Sequence, residues 1–265
     1  MHRIRIALSL SLLSIAFVAT AQEHQHGAMA TVTTVNKVLV GSMVTFTSSP
    51  GDGSGYLALP SGAGKHPALI VIQEWWGLND WVKEQADRFA SQGYVAIAPD
   101  LYRGKVATDP SMAHELMRGM PQDRAMADLR GAFNYLAGRK DVDTKRIGVI
   151  GWCMGGGYAI DFAIAEPRLA AAVMNYGHTI TDSATIAKLH APLLGNFGAD
   201  DRGIPPSDVH AFEAALQKAG KTADFKIYPG AGHGFMNPNN TGGYVEAAAK
   251  DAWARIDAFF TQHLR

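Results

Sequence analysis

The chain has 265 residues, 24 Lys+Arg balanced by 24 Asp+Glu, and a single cysteine. Near-zero net charge without basic runs argues against a nucleic-acid or anionic-membrane partner. One cysteine excludes an internal disulfide, so a chain long enough for one large domain must stand on its packed core.

The first residues are set apart from the rest. Met1-His2-Arg3-Ile4-Arg5 is a basic head, Ile6 to Val18 an apolar run, and Ala19-Thr20-Ala21 fits a small-x-small cleavage site. Residues 1–21 therefore read as an export signal. The apolar run is too short for a membrane span, which needs about 20 residues. The expectation is a periplasmic or secreted protein, free of the membrane once the signal is cut. Residues 22–35 are polar and aperiodic and read as a flexible segment, where His24 and His26 are solvated rather than metal ligands.

From residue 36 to 265 strand and helix signals alternate. Val38 to Phe46 and Gly55 to Leu59 form an opening hairpin around Pro50-Gly51-Asp52-Gly53. Ala68 to Ile72 is a continuous apolar run, as expected of a strand buried on both faces. A helix over 81–91, a strand over 94–98 and a long helix over 123–136 follow. Arg146 to Ile150 is the next strand, followed by a sharp turn and a helix. Strands over 171–174, 192–197 and 223–228 and helices over 207–218 and 245–263 complete the chain. Repeated β-then-α order predicts one α/β domain with a mostly parallel central sheet and helices on both faces. No repeat or linker marks a second domain, and the chain is expected to act as a monomer.

The most informative segment is Gly151-Trp152-Cys153-Met154-Gly155, directly after Ile147-Gly148-Val149-Ile150. This is the pattern of a nucleophile elbow, with cysteine where serine is usual. Flanking glycines keep side chains from colliding as strand turns into helix. A thiol attacks only when deprotonated, so Cys153 requires a base and a group to orient it. In elbow hydrolases the acid and then the histidine follow the nucleophile, each in a loop at the carboxyl end of a strand. Gly198-Ala199-Asp200-Asp201-Arg202-Gly203-Ile204-Pro205 and Gly230-Ala231-Gly232-His233-Gly234-Phe235 occupy those places. His233 is the base. Asp201 is favoured as the acid over Asp200, which can cap the turn or pair with Arg202.

Acyl transfer also needs an oxyanion hole. The backbone N–H of Met154 supplies one donor, and that of Trp75, in the loop Gln73-Glu74-Trp75-Trp76-Gly77, the other. Glu74 follows a wholly apolar strand, where a carboxylate is costly to bury unpaired. It is either solvated or ion-paired, or it sits near Cys153 and helps hold or release the thiol proton. Asp100-Leu101-Tyr102-Arg103 ends another strand on the same side, so Tyr102 and Arg103, with Trp76, are candidate substrate contacts. Arg103 either steers an anionic substrate or forms an ordinary salt bridge. Trp75, Trp76 and Trp152 wall a pocket or belong to the core.

Taken together, Gln73–Gly77, Pro99–Arg103, Gly151–Gly156, Asp201–Pro205 and Gly232–Phe235 resemble the dienelactone hydrolase family, the carboxymethylenebutenolidases. The resemblance implies an α/β-hydrolase fold and a Cys153–His233–Asp201 triad working without metal or organic cofactor. It also implies that Glu74 contacts the resting cysteine and takes part in activating it. Members that cleave dienelactone hold its carboxylate with arginines. Here Gly234-Phe235-Met236-Asn237-Pro238 carries none, and Arg103 follows Tyr102 directly. The expected activity is hydrolysis of a small-molecule ester or lactone. A broad carboxylesterase or acyl-transfer enzyme is the first alternative, and a non-catalytic thiol sensor or ligand-binding protein the second.

Overall fold

The computed structural model describes residues 38–265, so residues 1–21, read as an export signal, and the segment over 22–35 lie outside the described residues. The hairpin is present as β1 (Ser42–Phe46) and β2 (Gly53–Ala58). Pairing starts only at Ser42, and Val38 and Val40 before it are exposed. The remaining strands are β3 (His66–Ile72), β4 (Val95–Pro99), β5 (Val142–Trp152), β6 (Ala171–Asn175), β7 (Leu193–Gly198) and β8 (Ala223–Tyr228). They form one sheet in the order β1-β2-β4-β3-β5-β6-β7-β8. The pairs β1–β2 and β2–β4 are antiparallel and the others parallel, as an α/β-hydrolase fold requires.

Helices cover both faces, which is why the central strands are apolar throughout. Ala68, Ile70 and Ile72 of β3 belong to one core with Leu129 and Phe133 of α3 (Gln122–Ala137), Ile160 of α4 (Met154–Ala165) and, farther along the sheet, Phe212 of α6 (Pro206–Lys218). The alternate residues Leu69 and Val71 face the other way. There they meet Val82 and Phe89 of α1 (Asp80–Ser91) and Ile256 and Phe260 of α7 (Glu246–Leu264). The period of two along β3 thus divides one strand between two cores.

Two helices lack a sequence expectation. In α2 (Pro110–Arg118) only Ala113 is buried, so no apolar stripe announces it. Its start is set locally, by Pro110 in the first turn and by Asp109 Oδ1 accepting from Met112 N at 3.0 Å. The four-residue α5 (Ser183–Ile186) is likewise capped by Asp182.

The chain runs outward from β3 to β4, then crosses back to β5 and outward through β8 on the other side. β3 and β5 therefore flank the point where strand order reverses. Loops leaving their carboxyl ends diverge there, and the crevice between them is where open α/β sheets place ligands. Glu74 and Trp75 follow β3, and Cys153 follows β5.

Candidate active site

Cys153 has φ 55° and ψ −121°, a left-handed conformation that side chains rarely adopt. Such strain costs about 1–3 kcal/mol and persists only where neighbours fix it. Cys153 N donates to Asn175 O at 3.0 Å, and Gly157 N donates to Cys153 O at 3.2 Å. The glycines are explained by contact. A Cβ on Gly151 would collide with the Gly155 carbonyl, one on Gly155 with the carbonyl oxygens of Ile72 and Gln73, and one on Gly156 with Asn175 O. The first turn of α4 is pressed onto three strand ends, and only glycine permits that approach.

Met154 opens α4, so its N–H has no partner within the helix. Among the described residues neither this amide nor that of Trp75 donates to a protein acceptor. Both are held in place by Tyr102, whose hydroxyl donates to Trp75 O at 3.0 Å and touches Met154 Sδ at 3.3 Å. Tyr102 is buried and lies outside the cavity lining. The expectation of a substrate contact is corrected: Tyr102 braces Trp75 and Met154, which do line the cavity.

His233 Nδ1 lies 2.7 Å from Asp201 Oδ2. The other oxygen, Oδ1, accepts from Gly203 N at 2.9 Å and Ile204 N at 3.2 Å. That turn is the physical content of Asp-Arg-Gly-Ile-Pro, and it aims one carboxylate oxygen at the imidazole. Burial works against the Asp201 charge, but the bonds to His233, Gly203 and Ile204 outweigh it and hold the carboxyl below its usual range. Asp200 is exposed at the cavity rim instead. Of the two glycines beside His233, Gly234 needs its freedom, with φ 74°.

Burial lowers the affinity of His233 for its proton. Hydrogen bonding to Asp201 and the proximity of Cys153 more than reverse this, raising it to about 10. The imidazole thus faces the sulfur on one side and the carboxylate on the other.

Glu74 is buried, neither solvated nor ion-paired. Its Oε2 accepts from Asn237 Nδ2 at 2.6 Å. Desolvation raises its carboxyl to about 7, while Asn237 and the His233 charge oppose that rise. Asn237 stands in the segment without arginine, so a neutral amide faces the carboxylate. Its contact spans 163 positions of sequence, and no local signal pairs the two.

Arg103 is the second correction. Its Nη2 lies 2.7 Å and its Nε 3.3 Å from the two oxygens of Asp128 on α3, and Nη1 donates to Pro50 O at 2.9 Å. The Asp128 side chain is 1% exposed. The guanidinium is consumed in a structural ion pair and does not line the cavity.

The cavity over the elbow has a volume of about 1200 Å³. Glu74, Trp75, Trp76, Cys153, Met154, Asp201 and His233 all reach it. Trp152 does not; it is core, stacked edge-on against Trp81. Two residues absent from the sequence expectations also line it. They are Tyr176, with φ 40°, and His178, whose Nε2 lies 3.1 Å from Asp161 Oδ1. In the wall His178 pairs with Asp161 and His233 with Asp201, Glu74 has only the neutral Asn237, and the adjacent Asp200 and Arg202 stand at the rim.

The sequence model of the dienelactone hydrolase family matches residues 54–264. A Methylorubrum extorquens protein named "Putative carboxymethylenebutenolidase" is 33% identical over 250 residues, covering 89% of this chain and 86% of the relative. A Klebsiella pneumoniae crystal structure, described as a "Putative Dienelactone Hydrolase", superposes with a TM-score of 0.77 at 32% identity. It covers 85% of this chain and 100% of that one. The dienelactone hydrolase-like promiscuous phosphotriesterase P91, from metagenomic libraries, shares the fold at 22% identity and a TM-score of 0.78. With the elbow, the ordered loops and these matches together, the chain belongs to the dienelactone hydrolase family, hydrolases that act on ester and lactone bonds.

Proposed function

We propose that this enzyme cleaves its ester or lactone with Cys153 as nucleophile, His233 as acid and base, and Asp201 as the group that orients His233. The observation that carries this reading is the imidazole, fixed through Nδ1 to Asp201 at 2.7 Å and set beside Cys153 in one cavity. With Nδ1 occupied, Nε2 is the nitrogen left to exchange protons.

In the first half-reaction the Cys153 thiolate attacks the carbonyl carbon and the π electrons move to oxygen. That oxyanion accepts from the free N–H groups of Met154 and Trp75. The tetrahedral intermediate collapses, the carbon–oxygen bond to the alkoxide breaks, and His233 delivers its proton to the leaving oxygen. In a lactone that oxygen stays tethered to the acyl group. Water, deprotonated by His233, then attacks the thioester and releases the acid and the thiol. Glu74 sits where it can take or return the thiol proton before substrate arrives.

A second reading concerns the substrate. With Arg103 locked to Asp128, and with Arg202 at the rim set beside Asp200, the cavity favours an uncharged ester, as a carboxylesterase would, over a carboxylate-bearing lactone. The reading of residues 1–21 as an export signal supports a periplasmic or secreted site for this activity.

Steady-state hydrolysis of a neutral aryl ester by the wild type and Cys153→Ala tests the reading. Loss of at least about 10³-fold in kcat is expected; undiminished turnover by the variant would overturn it.

A further inference from the structure

Tyr176 is a buried polar group at this site that the reaction above leaves unused. It follows β6 directly, is fully buried, and lines the cavity beside the nucleophile. Its ring packs edge-on against His233, with centroids 5.2 Å apart, and against Phe235 at 5.5 Å. Among the described residues its hydroxyl has no acceptor for its proton; only the Met236 backbone N–H acts on its oxygen, and that as a donor. Buried donors are almost always paired, and leaving one unpaired is costly.

The backbone bears a second cost at the same residue. Tyr176 has φ 40°, one of three non-glycine residues with positive φ among those described; Cys153 is another. The distortion has a visible cause. Tyr176 N is tied to Asn196 O at 2.8 Å, and Gly177 is pressed so closely on Gly156 that a Cβ there would collide with the backbone of α4. The same glycine contacts that shape the elbow therefore force the phenol into its place. Strain and an unpaired donor persisting together, next to the strained nucleophile, mark a group kept for an acceptor that the resting protein does not contain.

Two groups that can become anions, Glu74 and Cys153, line the same cavity as the phenol, and the charge of each acts on it. Glu74 already has a donor, Asn237. No described hydrogen bond from a backbone amide or a hydroxyl reaches the sulfur. Building on the Cys153 chemistry proposed above, we propose that the Tyr176 hydroxyl is a further catalytic group, donating a hydrogen bond to the Cys153 thiolate as it forms. No proton is transferred by Tyr176. The thiol proton passes to His233 or Glu74, and the phenol keeps its own. Burial and the neighbouring negative charges keep that proton in place, raising the phenol well above its ordinary range.

The polar groups that share the cavity with the sulfur or feel its charge include Glu74 after β3, Tyr102 after β4, Tyr158 on α4, Tyr176 after β6 and His233 after β8. Of the buried hydroxyls among these only Tyr176 has no acceptor, Tyr158 being partly exposed. Tyr102 already donates to Trp75.

The test is Tyr176→Phe, which keeps the ring against His233 and Phe235. Iodoacetamide alkylation of Cys153 is followed across pH, beside kcat/KM for a neutral aryl ester and a urea unfolding curve. The account expects the alkylation midpoint to rise by about one pH unit and kcat/KM to fall about ten- to hundredfold. It also expects the urea midpoint to stay level or rise, since a donor without a partner is removed. An unmoved alkylation midpoint overturns the proposal, whatever kcat/KM does. So does a variant that fails to fold, because a donor without an acceptor cannot be needed for folding. Cys153→Ala, run alongside, separates the two levels: full activity there overturns the nucleophile itself, whereas an inactive Cys153→Ala with an unchanged Tyr176→Phe overturns Tyr176 alone.

Discussion

Asn237 Nδ2 donates to Glu74 Oε2 at 2.6 Å, so the buried carboxylate beside the nucleophile is held by a neutral amide and not by a cation. Burial then controls its proton, raising the carboxyl to about 7.

The consequence for stability has a definite sign. The folded state binds the Glu74 proton more tightly than the unfolded chain, whose carboxyl titrates near its ordinary 4.5. Stability contributed by this group therefore falls as pH rises from about 4.5 to about 7 and is flat above. Glu74→Gln removes that slope. Relative to wild type it should gain about 2–3 kcal/mol between pH 4.5 and pH 8. Urea unfolding at the two pH values measures this, and a pH-independent difference would count against a buried, protonating Glu74.

Arg103 and Asp128 make a different prediction. Asp128 is almost fully buried and also accepts from Ser48 Oγ at 2.6 Å, whereas Arg103 is partly exposed. Arg103→Met leaves a buried charge with one partner fewer, and should destabilise the fold by about 1–3 kcal/mol. The ratio of kcat/KM for a neutral ester to that for a carboxylate-bearing lactone should change less than about twofold, because the guanidinium never meets substrate. A tenfold shift in that ratio would show that Arg103 swings into the cavity.

These two pairs mark where reading the sequence succeeds and where it stops. The elbow is legible because its cause is local: a strand, a tight turn and glycines that admit the helix. Asp201 is legible over Asp200 because Gly203 and Ile204 supply amides within the same turn. Arg103 is not, since its direction is set by Asp128 on a distant helix. Tyr102 and Asn237 fail for the same reason, each defined by a partner on another strand's loop. The tryptophans divide by strand register, Trp75 and Trp76 in a loop over the cavity and Trp152 on the inward side of β5, which composition alone leaves open. The short α2 was missed because one buried alanine is too little pattern.

The glycine packing gives a third prediction. A Cβ at Gly155 meets carbonyl oxygens of Ile72 and Gln73, backbone atoms that have nowhere to go. Gly155→Ala should cost more than about 2 kcal/mol, as overpacking of a rigid contact does, and lower hydrolysis by displacing the Met154 amide. Gly220→Ala serves as the contrast. No atom lies within 4 Å of a Cβ there, so only its φ of 65° opposes the change and hydrolysis should be retained. Parallel unfolding and kinetic measurements check both.

Asp201→Asn probes the orientation of the base. The amide preserves shape but can donate to Nδ1, favouring the wrong tautomer, and removes the charge that holds His233 protonated. A fall in kcat of about 10³–10⁴-fold is expected, with KM little changed. A fall of less than tenfold would mean that Asp201 is not what orients the imidazole.

The most direct measurement is intact-protein mass spectrometry of enzyme quenched within milliseconds of mixing with a neutral aryl ester. The account predicts an increment equal to the acyl group, mapped by peptide analysis to Cys153 and absent from Cys153→Ala. Turnover with no adduct on Cys153 at any quench time, or an adduct on another residue, would contradict it.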